Sequence, residues 1–152
     1  MKKKMIKNEV SGFTLVELMV CSFFLTFAFL AVIGGFIYCM DLNDLSRNSS
    51  YATKTSKSRM ESIKNTAFNQ LIATYNNVTF TSTNLTGIGV SYITAQNPDL
   101  YKITVVYCWK QKNGRVIGED KNLNGILNAG EDLNGDGKIN SIVELVNYVY
   151  NG

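Results

Sequence analysis

The sequence predicts an α+β protein: one long N-terminal helix, apolar in its first half, packed by its second half on a small antiparallel sheet. Three observations predict it. An apolar run of 28 residues follows a lysine-rich dozen, and a helical spacing of small and apolar residues carries on beyond it. From Tyr75 onward the period shortens to that of strands. With 152 residues and 16.9 kDa, the chain has material for one modest folded domain beside the apolar run.

The run comes first. From Phe13 to Met40 only Thr14, Glu17, Ser22, Thr26, Gly34 and Gly35 fall outside the apolar set, and six of the eight Phe lie there. As a helix it would be ~42 Å long, and a bilayer core needs only ~20 such residues. It has no solvated face, unlike an amphipathic surface helix. So small a domain could hardly surround it. A cleaved secretory signal would be shorter, and Cys39-Met40-Asp41 makes a poor cleavage site for one. Lys2, Lys3, Lys4 and Lys7 against Glu9 leave +3 on residues 1–12, and the eleven basic and eleven acidic residues that follow cancel. The charge therefore reads as a topology signal with the N-terminus cytoplasmic and the remainder exported. It does not read as a nucleic-acid footprint, and no nucleic-acid partner is expected.

Glu17 stands in the wrong solvent. A charged side chain inside the bilayer costs roughly 2.5–3.5 kcal/mol on insertion scales. Either it reaches the headgroups from near the helix end, or it meets a cation supplied during assembly. The surrounding string is Ser11-Gly12-Phe13-Thr14-Leu15-Val16-Glu17-Leu18. This closely resembles the signature of type IV pilins and pseudopilins, a short basic leader ending in Gly and then Phe-Thr-Leu-x-Glu-Leu or similar. The resemblance covers about residues 1–40. It implies that a prepilin peptidase cuts between Gly12 and Phe13 and that Phe13 becomes the N-methylated first residue. Glu17 is then the fifth residue of the mature chain. The new ammonium at Phe13 and the carboxylate of Glu17 could pair within one helix or between neighbours, fixing axial register in a filament. Further implied partners are other pilin or pseudopilin subunits, an inner-membrane assembly platform and membrane lipid. Many members carry Pro within the apolar helix. Here the only Pro is Pro98, and Gly34-Gly35 lies in that region instead. The pair either marks a bend or melting point in a filament or allows close helix packing.

Beyond Met40, Leu42, Leu45, Ser49, Ala52, Ser56, Met60, Ile63, Ala67 and Leu71 recur at steps of three and four. Residues 41–73 therefore read as an exported amphipathic continuation of the helix, ending between Ala67 and Asn77. Arg47, Lys54, Lys57, Arg59 and Lys64 lie off the stripe and read as a solvated face. Residues 74–152 read as the sheet. Asn77–Ser82 and Gly89–Ala95 are short strands. Leu100–Lys110 is the surest, with Tyr101, Ile103, Val105, Tyr107 and Trp109 on one face and Lys102, Thr104 and Cys108 on the other. Asn113-Gly114 signals a hairpin into Arg115–Gly118, and Ser141–Tyr150 is a final strand or a short helix. Edge strands of so small a sheet could pair with neighbours.

Between the last two strands, residues 119–140 are rich in oxygen side chains. From Asp120, oxygens recur at positions 1, 3, 5 and 9 (Asp120, Asn122, Asn124, Asn128). Gly125 is at 6, the Ile126 carbonyl at 7 and Glu131 at 12, the spacing of an EF-hand calcium loop. The unit repeats twelve residues on as Asp132, Asn134, Asp136, Gly137, Lys138 and Asn140. There the twelfth position is Val143, with Glu144 one residue late, so the first unit is the stronger Ca²⁺ site. With no spacer and no flanking helices, the pair resembles dockerin or thrombospondin calcium repeats grafted between strands. Some pseudopilins carry a Ca²⁺-stabilised loop, which accords with the first resemblance. Asn in place of Asp at several ligands suggests weak affinity, ~10⁻⁴–10⁻³ M.

The sequence has no His, so Ser–His and Cys–His catalysis and His metal ligation are excluded. No nucleophile–base pair can be named, and no enzyme is expected. Cys21 and Cys39 lie ~27 Å apart along one helix and Cys108 is in the sheet, so no disulfide among them is expected. Two readings remain. One is a pilin-like subunit of a type IV pilus or a type II secretion pseudopilus, made in the inner membrane. The other is a signal-anchored calcium-binding adhesin that never polymerises.

Overall fold

A computed structural model describes residues 12–151, which fall into two units divided after Asp41. The expected leader lies outside the described residues except for Gly12.

The first unit is the start of helix α1, Leu15–Lys64. Thr14 caps it: its Oγ1 accepts from the N–H of Glu17 at 3.2 Å, and its carbonyl accepts from Leu18 at 3.1 Å. Every residue from Gly12 to Asn43 is exposed, so among the described residues nothing covers the apolar run. The hydroxyls of Ser22 and Thr26 are satisfied within the helix, as an apolar solvent demands. Ser22 Oγ donates to the Met19 carbonyl at 2.9 Å and Thr26 Oγ1 to the Ser22 carbonyl at 2.8 Å. This helix is long and apolar enough to cross a membrane. Gly34 and Gly35 lie inside it without interrupting it.

The second unit begins with the remaining turns of α1, which bury Asn48, Ala52, Ser56, Met60 and Ile63 against the sheet. The expected stripe is corrected in three places: Asn48 rather than Ser49 is buried, and Leu42 and Ala67 are exposed. Arg59 also departs from the solvated face. Its guanidinium lies 4.6 Å from the Tyr75 ring centroid and 5.3 Å from that of Phe80. The helix stops earlier than its spacing suggests. Ala67 takes an extended ψ of 137°, breaking the chain into a 3₁₀ turn, Phe68–Gln70, and a short α2, Leu71–Tyr75.

The strands are β1 (Val78–Phe80), β2 (Gly87–Asn97), β3 (Leu100–Lys110), β4 (Val116–Ile117) and β5 (Glu144–Tyr150). All pairs are antiparallel in the order β1-β2-β3, with β4 and β5 sharing the far edge of β3. Residues 144–150 are thus a strand, not a helix. The alternation on β3 decides the packing. Tyr107 and Trp109 meet Ala52, while Ile103 and Val105 meet Met60 and Ile63. On the opposite face Val90, Tyr92, Val106 and Cys108 form a separate core with Ile139, Leu123 and Leu127 from the loop after β4. On β5 the N–H of Tyr148 donates to the Oδ1 of Asn147 at 2.8 Å. The three cysteines are free.

Candidate functional sites

Two regions carry the chemistry expected from the sequence. In the first, Gly12 and Phe13 precede the helix and are exposed. Glu17 sits in the first turn of α1, where its charge complements the positive end of the helix dipole. The pattern Thr14-x-x-Glu17 is a capping box by sequence, a signal that the motif reading passed over. The same carboxylate is thus placed to stabilise the helix start.

The second region is the pair of loops between β4 and β5. In the first, Asp120 Oδ1 accepts from the Asn124 N–H at 3.1 Å and Oδ2 from that of Gly125 at 2.7 Å. Asn122 Oδ1 accepts from Asn124 at 3.0 Å, and Asn124 Oδ1 from Ile126 at 2.7 Å. Asn128 Nδ2 donates to the Ile126 carbonyl at 3.0 Å and to Glu131 at 3.2 Å. Twelve residues later the pattern recurs. Asp132 accepts from Gly135 at 2.7 Å and Gly137 at 3.0 Å, Asn134 from Asp136 at 3.0 Å, and Asp136 from Lys138 at 2.9 Å and Asn140 Nδ2 at 3.1 Å. The backbone repeats too: φ is positive at Leu123 and Gly135, and again at Gly125 and Gly137. The Lys138 side chain turns away to Thr94 Oγ1 (3.4 Å) and the Tyr92 ring, leaving only its backbone within the second loop.

At the closing positions only the second loop differs from the sequence reading. Glu131 closes the first loop, Oε1 accepting from the Lys121 N–H at 2.9 Å and Oε2 from that of Asn128 at 3.0 Å. The second loop is closed in the same two places by Glu119, Oε1 accepting from Leu133 at 3.1 Å and Oε2 from Asn140 at 2.9 Å. Val143 is buried among Ala52, Tyr107 and Trp109, and Glu144 is exposed on β5. The second unit therefore does have an acid at its closing position, drawn from before the first. The visible signal was the dipeptide Glu-Asp at 119–120 and again at 131–132.

Asp120 is fully buried, and Glu119 and Glu131 nearly so. Among the described residues the ion pairs are those of Asp44 with Arg47 and Lys112, so none of the loop carboxylates has a basic partner. Backbone N–H groups, that of Asn128 foremost, hold the Glu131 carboxyl below its usual range, and the Asn140 side chain does the same for Asp136. Beneath the loops burial pushes the Cys108 thiol up to about 11. Among the described residues no three carboxylate, thiol or imidazole groups already converge on one point as a metal cage. The loops do present a dense set of hard oxygen donors, carboxylate, amide and carbonyl, and no soft one, the class that Ca²⁺ takes.

No family model, no curated protein and no solved structure matches the chain.

Proposed function

We propose that this chain is a pilin-like structural subunit of a type IV pilus or a type II secretion pseudopilus. In this reading a prepilin peptidase processes it between Gly12 and Phe13, and it assembles from the inner membrane through its apolar helix. The observation that carries the reading is the string Gly12-Phe13-Thr14-Leu15-Val16-Glu17 at the head of a helix exposed along its whole apolar run. An exposed apolar helix needs lipid before assembly and neighbouring helices after it. Glu17 then serves as the counter-charge to the Phe13 ammonium.

The loops would hold Ca²⁺ through Asp120, Asn122, Asn124, the Ile126 carbonyl, Asn128 and Glu131. A second ion would use Asp132, Asn134, Asp136, the Lys138 carbonyl and Asn140, with Glu119 as the closing carboxylate. Bound cations would supply the positive charge that the buried carboxylates lack, which is a stabilising role and not a catalytic one.

Mass spectrometry of the N-terminus tests the processing step. A chain beginning at methylated Phe13 is expected, and an intact Met1 in cells with an active prepilin peptidase overturns it. Glu17→Ala tests assembly: membrane insertion is retained and filament incorporation lost. Normal incorporation of that variant removes Glu17 from the proposed role, and a processed chain that never assembles returns the anchored adhesin.

A further inference from the structure

The two loops are tied crosswise. Glu119 and Asp120 are consecutive, yet they serve different loops. Asp120 holds the first through Asn124 and Gly125, while Glu119 holds the second through Leu133 and Asn140. Glu131 and Asp132 mirror them, Glu131 holding the first loop and Asp132 the second. Adjacent Cα atoms are only ~3.8 Å apart, so a backbone movement at either Glu-Asp pair is felt in both loops. Glu119 is bound to Asn140 a second time, because its own N–H donates to the Asn140 carbonyl at 2.8 Å.

The undersides of the loops share one floor. Leu123 and Leu127 from the first, and Ile139 from the second, pack on Val90, Tyr92, Val106 and Cys108. The Ile139 N–H donates to the Tyr92 hydroxyl at 3.0 Å. Cys108 lies 1 % exposed beneath them, its Sγ 3.8 Å from the Asn140 carbonyl oxygen. Gly118 leaves no room for a Cβ beside that sulfur.

We propose that residues 119–140 form a single latch over the outer face of the sheet, in which the two loops open and close together because each Glu-Asp pair holds both. Opening uncovers Cys108 and the apolar floor around it. The latch rests on hydrogen bonds within the chain and does not depend on the calcium reading. A failed calcium titration leaves it standing, and a failed latch leaves the titration standing.

The test uses the full chain in detergent micelles with a calcium chelator and with Cys21→Ser and Cys39→Ser, so that Cys108 is the only thiol. Amide exchange and Cys108 alkylation are followed in this background and after adding Glu119→Gln or Glu131→Gln. Gln keeps the shape but turns an NH₂ toward an N–H that needs an acceptor. Glu131→Gln is expected to speed exchange at Leu133 and Asn140, which Glu131 does not touch, and Glu119→Gln to speed it at Lys121 and Asn128. Either is expected to raise the alkylation rate on the order of tenfold, while Ile103 and Val105 stay protected. Acceleration confined to the amides that each glutamate accepts from, or unchanged alkylation, overturns the latch. Should a variant also unfold β3, native-state exchange of the Glu119/Glu131 parent in low denaturant decides. One shared opening curve for both loops, below that of β3, supports the latch, and two separate curves overturn it.

Discussion

Asn48 Nδ2 donates to Oε1 of Gln111 at 2.7 Å, joining α1 to the end of β3 across 63 positions of chain, with both residues buried. Nearby, Asp44 bridges Arg47 at 3.0 Å and Lys112 at 3.4 Å. The amide pair is the polar bolt at this end of a largely apolar contact. Asn48→Ala leaves a buried Gln111 amide short of a partner and is expected to destabilise the sheet unit by about 1–3 kcal/mol. Gln111→Ala should cost a similar amount. The double variant should cost clearly less than the two added together, measured by denaturant unfolding.

Ser56 is fully buried in α1, and among the described residues its Oγ has no hydrogen-bond partner. Ser56→Ala removes that hydroxyl, adds helix propensity and hardly changes volume. A gain of about 0.5–1.5 kcal/mol and a higher melting temperature are expected. A lower one would mean the hydroxyl is satisfied.

The depressed carboxyls of Glu131 and Asp136 set an acid limit. A carboxyl whose folded pKa lies below its unfolded value contributes stability above the unfolded value of ~4 and loses it as pH falls through the folded one. Melting temperature, followed in a calcium chelator, is therefore expected to be flat from about pH 7 to 5 and to fall below ~4. Glu131→Gln should flatten part of that fall. An unchanged slope in the variant would take Glu131 out of the account.

Calcium at ~10 mM is expected to raise stability by about 1.4–2.7 kcal/mol per occupied loop if Kd lies in the ~10⁻⁴–10⁻³ M range. Asp120→Asn, Glu131→Gln and Glu119→Gln should each reduce the effect, the first two by removing a ligand of the first loop and the third one of the second. Calorimetry that shows no heat, with an unchanged melting temperature, would end the calcium reading.

The parts that were legible in the sequence are those set by local period. Leu100–Lys110 sets Tyr101, Ile103, Val105, Tyr107 and Trp109 at every second position, and the strand has those bounds. The apolar run and the shift from helical to strand spacing were equally plain. The end of α1 was not, because Ala67 and Leu71 continue its spacing while the extended backbone at Ala67 interrupts it. Asn48 was passed over because an amide reads as surface until its partner is known, and Gln111 is far along the chain. Within the loops, the Asx turns of Asn122, Asn124, Asn134 and Asp136 follow from residue spacing. Glu119 was missed for the opposite reason: it closes a loop to which it does not belong in sequence.

The Asn147 contact on β5 has a bearing on association. With Tyr107 donating to the Val143 carbonyl and Asn151 to that of Asp99, Tyr148 falls at a position whose N–H points away from β3. Its own neighbour has already claimed that donor. An incoming strand would have to displace Asn147 before it could add to the sheet. One border of the sheet, that of β5, thus carries a guard against strand addition written into its own sequence.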